Sequence, residues 1–308
     1  MSYIVHIDPS VGSTNLGDEI ISEAVRSQLI EMFPTKRIIN LASRDAGVWA
    51  KRVVTDAEYV FLGGTNALSS NPLFGYRQFD MGIFPTGSFR KIILMGVGWW
   101  QYQNKFGLFA SRFYKNTLHQ SLTHSVRDQY TVDHLSQLGI KSVLNTACPT
   151  MWNLQSFNVK VSSIAVITLT DYHRNIERDA EFIKNILAKF SKVYFWPQGT
   201  ADIEYLKTFS TQFNLSQIEL LRPNLKDFDN LLSSGVTYIG TRLHAGIRAL
   251  QKQCPSYILP VDNRAVEISK TDSLPLTDAS LSNIFINEKF LYLTIHRNEV
   301  TSFISQFK

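Results

Sequence analysis

The sequence predicts an α/β protein with two doubly wound domains, each built around a parallel sheet. Short apolar runs rich in β-branched residues alternate with segments of helical period along the whole chain, which is typical of βαβ units. The chain has 308 residues, and single hydrophobic cores stop growing at about 250–300 residues. With 44% hydrophobic and 19% charged residues, it has enough apolar surface for two buried cores.

The first half begins with a strand and a well-marked helix. Asp18 and Glu19 open the helix, where acidic groups suit the positive end of the helix dipole, and Pro34 ends it. One apolar stripe runs along it, formed by Ile20, Ile21, Ala24, Val25, Leu29 and Phe33. The strands predicted for this half are 3–8, 37–41, 58–62, 91–97, 123–126 and 142–145.

A polar stretch without strong periodicity, 153–163, predicts the linker between the domains. A new apolar strand, 164–169, follows it. Further strands near 193–196, 217–221, 236–239 and 256–259 alternate with helices near 177–190, 202–213, 225–233 and 243–252. We therefore expect domains at 1–155 and 156–308, with the option that the last helix packs back on the first domain.

Charge and cysteine content exclude several classes of function. The net charge of +5 is spread over short Lys/Arg pairs, without the basic run typical of nucleic-acid binding. No stretch reaches the ~20 apolar residues of a bilayer span, so membrane contact should be peripheral at most. Cys148 and Cys254 lie far apart and have no metal-ligand spacing. We expect a cytoplasmic protein without a secretion signal, a metal or a cofactor; the sequence leaves its oligomeric state open.

Ligands of open α/β sheets bind at the carboxyl ends of the strands, so the loops there hold the candidate residues. The first loop contains Asn15, Gly17 and Asp18 before a helix N-terminus, where backbone N–H groups can approach an anion or a sugar. It is not the G-x-G-x-x-G of a dinucleotide site. Asp18 fits a helix cap equally well. Gly63 and Gly64 follow the third strand and permit close backbone approach, as many α/β turns do.

Two arginine-containing turns are stronger candidates. Arg127 follows the fifth strand and is predicted to face the cleft between the domains, where its guanidinium could bind a carboxylate or phosphate. A surface pair with Asp128 is the alternative. After the strand near 236–239 come Gly240, Thr241, Arg242, Leu243 and His244. A helix N-terminus, a guanidinium and an imidazole coincide there, which favours an anion site. Arg174, after strand 164–169, is a lesser candidate.

Five motifs in this order resemble the polysaccharide pyruvyl transferase family over most of the chain. They are Asn15-Leu16-Gly17-Asp18-Glu19, Phe61-Leu62-Gly63-Gly64, Gly96-Val97-Gly98, Ser125-Val126-Arg127-Asp128 with Leu138-Gly139-Ile140, and Gly240-Thr241-Arg242-Leu243-His244-Ala245. The sequence departs from the family pattern at Thr65, at Ala147-Cys148-Pro149 and at Asp262-Asn263-Arg264. Arg264 stands where the family's late lysine segment brings positive charge.

The resemblance implies two Rossmann-like domains with a central cleft, as in the GT-B glycosyltransferases. It also implies an enzyme that transfers the enolpyruvyl group of phosphoenolpyruvate to a free or lipid-linked saccharide, forming a pyruvate ketal in cell-surface polysaccharide biosynthesis. The implied donor side holds Arg127, Arg242, His244, Gly240, Thr241 and Arg264, and the implied acceptor side holds Asn15, Gly17, Gly63, Gly64 and Arg174.

For catalysis the sequence offers His244, for phosphate binding or proton delivery, and Asp18, as the base for the incoming hydroxyl. Two other functions remain open at this point. One is a GT-B glycosyltransferase that uses a nucleotide sugar. The other is a non-catalytic module that binds a saccharide or phosphate on the same scaffold.

Overall fold

The computed structural model describes residues 2–44, 48–73, 91–284 and 289–308. The chain divides into two compact units. The first unit contains Met1–Ser13, Ile21–Trp152 and Ile295–Lys308, and the second contains Thr14–Ile20 and Asn153–Thr294. The division after Trp152 lies within a few residues of the predicted boundary, but the start of the first helix groups with the second unit. Residues that are close in sequence can belong to different units, because each segment is grouped with the residues that it packs against.

The first unit is a parallel α/β unit. Its elements are β1 (Tyr3–Asp8), α1 (Leu16–Met32), β2 (Arg37–Ala42), α2 (Val48–Asp56), β3 (Tyr59–Gly63), β4 (Ile92–Met95), α3 (Ala110–Thr117), β5 (His124–Val126), α4 (Gln129–Gln137) and β6 (Val143–Asn145). Four strands pair in the order β2-β1-β3-β4, and β5 pairs with β6. The N–H of Gly96 donates to the carbonyl of Ser125 at 2.9 Å, which continues the sheet from β4 to β5.

Both faces of this sheet are covered, which explains why its strands β3 and β4 are apolar throughout. Val5, Leu62 and Leu94 pack on one face, and Ile4, Phe61 and Ile93 pack on the other with α1. The final helix α10 (Arg297–Ser305) adds the buried Phe303 to that second cluster. Gln306, just after α10, donates to the carbonyl of Thr123 at 3.0 Å.

Strand β4 is shorter than the predicted 91–97 because the chain turns at Gly96. Gly96 has a φ of +69°, and a Cβ there would lie 2.0 Å from Cδ of Pro149. A residue with a side chain would therefore be strained in backbone conformation and would clash as well.

The second unit is also doubly wound. Its elements are β7 (Phe157–Val159), β8 (Ile164–Thr168), α5 (Ile176–Lys189), β9 (Lys192–Phe195), α6 (Asp202–Lys207), β10 (Ile218–Leu220), α7 (Leu225–Leu232), β11 (Thr237–Gly240), α8 (Leu243–Gln251), β12 (Ser256–Ile258), α9 (Asn263–Asp272) and β13 (Lys289–Leu291). Five parallel strands pair in the order β10-β9-β8-β11-β12. The order reverses between β8 and β11, which makes that pair the topological switch point.

Several features of this unit differ from the sequence prediction, including helix α9, which the sequence did not predict. Residues 153–163 contain β7, which pairs antiparallel with β13 and buries Phe157 and Val159. A strand of three residues is too short to show a period, so the polar stretch gave no signal of it. Helix α6 ends at Lys207 instead of near residue 213. Residues 208–212 form successive turns instead of continuing the helix. Among the described residues, no helix is long and apolar enough to cross a membrane.

Candidate functional site

Arg127 is a buried guanidinium at the carboxyl end of β5, and its side chain is 2% exposed. Its Nη2 donates to Oδ1 of Asn66 at 2.6 Å. Its Nε lies 3.5 Å from Oδ2 of Asp128 and has no hydrogen-bond partner within the described part of the chain. Asp128 itself caps α4 by accepting from the N–H of Thr131 at 2.8 Å. Burying a charged donor that lacks a hydrogen bond is costly, so an acceptor placed at this atom would lower the free energy of the site.

Gly98 lies directly under this guanidinium. A Cβ at Gly98 would be 2.2 Å from Nη2 of Arg127, so only glycine allows the arginine to take this position. The N–H of Gly98 donates to the carbonyl of Thr65 at 2.8 Å, which holds the loop after β4 against the loop after β3. Three motifs that are far apart in sequence therefore meet around Arg127.

The structure buries Gly63 and Gly64 within the first unit. A Cβ at Gly63 would lie 2.6 Å from Nε2 of His6. A Cβ at Gly64 would lie 3.2 Å from Cγ2 of Ile21 and 3.3 Å from the carbonyl oxygen of Gly96. Both glycines thus allow close packing between β3 and its neighbours.

The switch point of the second unit holds an ion pair that sequence analysis did not foresee. The side chain of Arg242 is 2% exposed and that of Asp202 is fully buried. Nε of Arg242 donates to Oδ2 of Asp202 at 3.1 Å, and Nη2 donates to Oδ1 of the same carboxylate. Nη2 also donates to Asp171, at 3.1 Å. The fork predicted for the donor is therefore held by two carboxylates of the protein.

Asp202 joins the loops that follow β9 and β11 at the carboxyl end of the sheet. Besides Arg242 after β11, its Oδ2 accepts from the N–H of Gly199 at 2.8 Å and of Gln198 at 3.1 Å, both after β9. Burial raises the pKa of Asp202, and the attraction of Arg242 only partly opposes this shift. Burial by itself would lower the pKa of Arg242, but Asp202, Tyr172 and Asp171 raise it overall, so the guanidinium stays charged.

Tyr172 lies beside Arg242 and Arg264. The guanidinium carbon of Arg242 is 4.9 Å from the centre of its ring, and that of Arg264 is 5.9 Å away. Nη2 of Arg264 donates to the Tyr172 hydroxyl, and its Nε donates to Asp262 at 2.8 Å. Burial by itself would lower the pKa of Arg264, but the neighbouring Tyr172 and Asp262 raise it overall. Arg174 is exposed, and its Nε donates to the carbonyl of Asp171 at 3.0 Å.

The loop before α1 contacts the loop after β9 within the second unit. Nε2 of Gln198 donates to Oδ1 of Asn15 at 2.8 Å, and the N–H of Leu16 donates to the carbonyl of Gln198 at 2.9 Å. A Cβ at Gly17 would lie 2.5 Å from Nε2 of Gln198, so glycine is needed for this approach. Asp18 lies in the first turn of α1 and is partly buried.

The turn from β11 into α8 is tightly packed. A Cβ at Gly240 would lie 2.3 Å from Oγ1 of Thr168. Oγ1 of Thr241 donates to Oγ1 of Thr170 at 2.8 Å. Arg242 is the N-cap residue of α8 but makes no side-chain capping hydrogen bond, and the buried His244 lies in the first turn. The positive end of this helix dipole therefore receives no cap from Arg242.

A model of the polysaccharide pyruvyl transferase family matches residues 15–263, a span that contains the loop before α1, the surroundings of Arg127 and the turn into α8. The chain belongs to the polysaccharide pyruvyl transferase family. It is therefore a transferase enzyme. The match begins at Asn15 and ends at Asn263, so all five motifs that suggested the family fall inside it. No curated protein matches the chain.

Two of the solved structures that the chain matches contain UDP, one of them together with UDP-GlcNAc. The chain resembles a UDP-GlcNAc 2-epimerase of Methanocaldococcus jannaschii, solved with UDP-GlcNAc and UDP, with a TM-score of 0.52 and 13% identity over 100% of this chain and 99% of that chain. It also matches S. aureus MnaA solved with UDP, with a TM-score of 0.44 and 12% identity over 90% of this chain and 83% of that chain. The fold class of this family member is α/β with two Rossmann-like units, of the GT-B type.

The structure brings the predicted site residues together in two groups. In the first unit Arg127 meets the glycine loops after β3 and β4. In the second unit Asn15, Gly17 and the turn into α8 border the loop 196–199 after β9. Sequence reasoning missed Asn66, Gln198, Asp171, Asp202 and Tyr172, although each follows a strand of the sheets. Among the described residues, no group of three or more His, Cys, Asp or Glu side chains could hold a metal ion.

Proposed function

We propose that this family member transfers the enolpyruvyl group of phosphoenolpyruvate to two hydroxyls of a saccharide, producing a pyruvate ketal and phosphate. The buried Nε of Arg127 carries the proposal, because this charged donor has no hydrogen-bond acceptor among the residues that the structure describes and the chain belongs to a family named for pyruvyl transfer. Phosphoenolpyruvate offers a carboxylate and a phosphate, both of which match a guanidinium fork.

The proposed chemistry needs an acid, a base and a group that holds phosphate. A proton adds to the methylene carbon of the donor, and one sugar hydroxyl adds to C2 while losing its own proton. Phosphate then leaves, and a second hydroxyl of the same sugar closes the ketal. One hydroxyl proton ends on the new methyl group and the other on phosphate, so the atoms and charges balance.

We assign phosphate binding to the N-terminus of α8, where His244 and the backbone after Gly240 and Thr241 meet the positive end of the helix dipole. Arg242 supports this turn through Asp202, and Arg264 adds positive charge on the same side of the sheet. Asp18 is our candidate for the base that receives the proton of the incoming hydroxyl. Asn15, Gly17 and Arg174 are our candidates for contacts with the acceptor.

The test is phosphate release from phosphoenolpyruvate with a panel of lipid-linked and nucleotide-linked sugars as acceptors. In the Arg127→Lys variant an ammonium cannot reproduce the fork, and each charge-assisted hydrogen bond is worth about 1.5–3 kcal/mol. We expect KM for phosphoenolpyruvate to rise at least about tenfold. Arg222→Lys is the matched control, because the Arg222 side chain is 83% exposed and pairs only at the surface with Asp227.

Two results would contradict the proposal. One is wild-type KM in a folded Arg127→Lys variant, which would remove Arg127 from the donor site. The other is turnover of a nucleotide sugar without consumption of phosphoenolpyruvate, which would assign the enzyme to glycosyl transfer. A cytoplasmic location and independence of metals remain predictions, and activity that survives a chelator would support the second of them.

A further inference from the structure

The turn before α3 exposes apolar side chains to an unusual degree. Leu108 is 96% exposed, the most of any large apolar side chain among the described residues, and Phe109 beside it is 57% exposed. Tyr102, earlier in the same loop, is 54% exposed. Three large apolar groups within eight residues form a patch of the kind that marks an interaction surface, whereas single exposed apolar residues are common.

Basic residues continue this patch along one face of α3. Arg112 and Lys115 follow Phe109 at intervals of three residues, so the three side chains lie on one face of the helix. Both basic residues are exposed, whereas Ala110, Tyr114 and Thr117 on the other face are buried. Lys105, in the loop before the helix, is exposed as well.

The part of the sequence around α3 contains basic residues but no acidic ones over a long stretch. Residues 81–127 contain no Asp or Glu, and of their six Lys or Arg residues Lys105, Arg112 and Lys115 are exposed whereas Arg127 is buried. At the chain's average of 26 acidic residues in 308, a stretch of this length would carry about four. In the neighbouring helix α4, Asp133 is the exposed acidic residue. The exposed face therefore complements a negatively charged surface.

The helix that carries this face is firmly attached to its unit. The hydroxyl of Tyr114 donates to the carbonyl of Ser69 at 2.8 Å and accepts from the N–H of Ser69 at 2.8 Å. Oγ of Ser111 donates to the carbonyl of Leu138 at 2.8 Å. The exposed side chains are thus presented by an element whose other face is already packed.

We propose that Tyr102, Leu108 and Phe109, with Lys105, Arg112 and Lys115, form a surface that docks on an anionic lipid membrane. The apolar side chains enter the boundary between headgroups and acyl chains, and the basic side chains contact the acidic headgroups. A second copy of the chain fits this face less well. An isologous contact would place Arg112 and Lys115 of one copy against the same cations of the other.

The test is co-sedimentation of the full chain with vesicles. Phosphatidylcholine vesicles that contain phosphatidylglycerol should bind the protein, pure phosphatidylcholine vesicles should bind it weakly, and added salt should release it. Basic residues near an acidic membrane contribute about fivefold each to the partition coefficient. Arg112→Glu with Lys115→Glu should therefore lower it by at least about twentyfold.

The apolar half is tested separately with Leu108→Ser and Phe109→Ser, which together should lower the partition coefficient at least about tenfold. Both variants should fold, because Leu108 has almost no packing to lose and serine is a favoured residue at the N-cap position that Phe109 occupies. Leu220→Ser and Lys226→Glu are the matched controls in the second unit, where Leu220 is 52% exposed. Neither control should change the binding.

Three outcomes would overturn the proposal. The first is equal binding, or no binding, to the two kinds of vesicle. The second is an equal loss of binding in the control variants. The third is a wild-type dimer in sedimentation equilibrium that Leu108→Ser dissociates, because the patch would then be covered by a second copy of the chain.

Discussion

Replacing Asp202 with asparagine tests the ion pair that joins the loops of the second unit. The substitution keeps the size of the side chain and removes its charge. In the native protein Oδ2 accepts three hydrogen bonds, from the N–H groups of Gln198 and Gly199 and from Nε of Arg242. Oδ1 accepts from Nη2 of Arg242. An asparagine has one oxygen for these donors, and its NH₂ group would face a donor in turn.

The expected cost follows from the burial of both partners. The side chains are 0% and 2% exposed, and removing one partner of such a pair typically costs about 3–5 kcal/mol because a buried charge is left uncompensated. Asp171, which is 26% exposed, remains 3.1 Å from Nη2 of Arg242 and keeps part of the compensation. We therefore expect the lower end, about 3 kcal/mol.

The assay is urea unfolding followed by circular dichroism, completed as a double-mutant cycle with Arg242→Met. Each single variant should lose about 3 kcal/mol, and the double variant should lose much less than the sum, because it leaves no buried charge unpaired. Asp227→Asn is the matched control. It removes the carboxylate that pairs with the exposed Arg222 at 2.8 Å, so its cost should stay below about 1 kcal/mol.

Two results would refute this reasoning. If Asp202→Asn costs no more than Asp227→Asn, the buried pair does not hold the loops together. If the losses of the two single variants add fully in the double variant, Asp202 and Arg242 act independently, and the guanidinium would then be available as the ligand fork that the sequence predicts.

Three further predictions concern histidines and cysteines. Burial lowers the pKa of His124 from 6.5 to about 4, so the unfolded chain takes up a proton that the folded protein excludes. The contribution of His124 to the free energy of unfolding should be constant above about pH 6.5 and fall by roughly 3 kcal/mol towards pH 4; His124→Gln should reduce the slope of stability against pH in urea unfolding, and an unchanged slope would contradict the assignment. His244→Gln should mainly raise KM for phosphoenolpyruvate; a kcat lower by about 10²–10⁴-fold, with loss of the alkaline limb of its pH profile, would make His244 the acid instead. Cys148→Ser and Cys254→Ser should retain turnover in the phosphate-release assay, since burial raises the pKa of the Cys254 thiol to about 11; inactivation by stoichiometric alkylation of the folded enzyme would oppose this.

The sequence by itself determined the α/β class and most of the strands. Strands buried on both faces are mostly apolar, so β1, β3 and β11 could be predicted from local composition. The stripe from Ile20 to Phe33 determined α1 in the same way, because one face of that helix packs on the sheet. The order of five short motifs was also sufficient to indicate the family, whose model matches residues 15–263.

Only the tertiary structure decided which side chains meet. Asp202 is 40 residues from Arg242 in sequence, and no local pattern indicates that its carboxylate takes the two donors expected to bind a ligand. Asn66 and Gly98 lie under or beside Arg127 because parallel strands distant in sequence end at one edge of the sheet. The physical reason is that periodicity reports burial and local conformation, whereas the partner of a buried charge depends on strand order and on the loops that the sheet brings together.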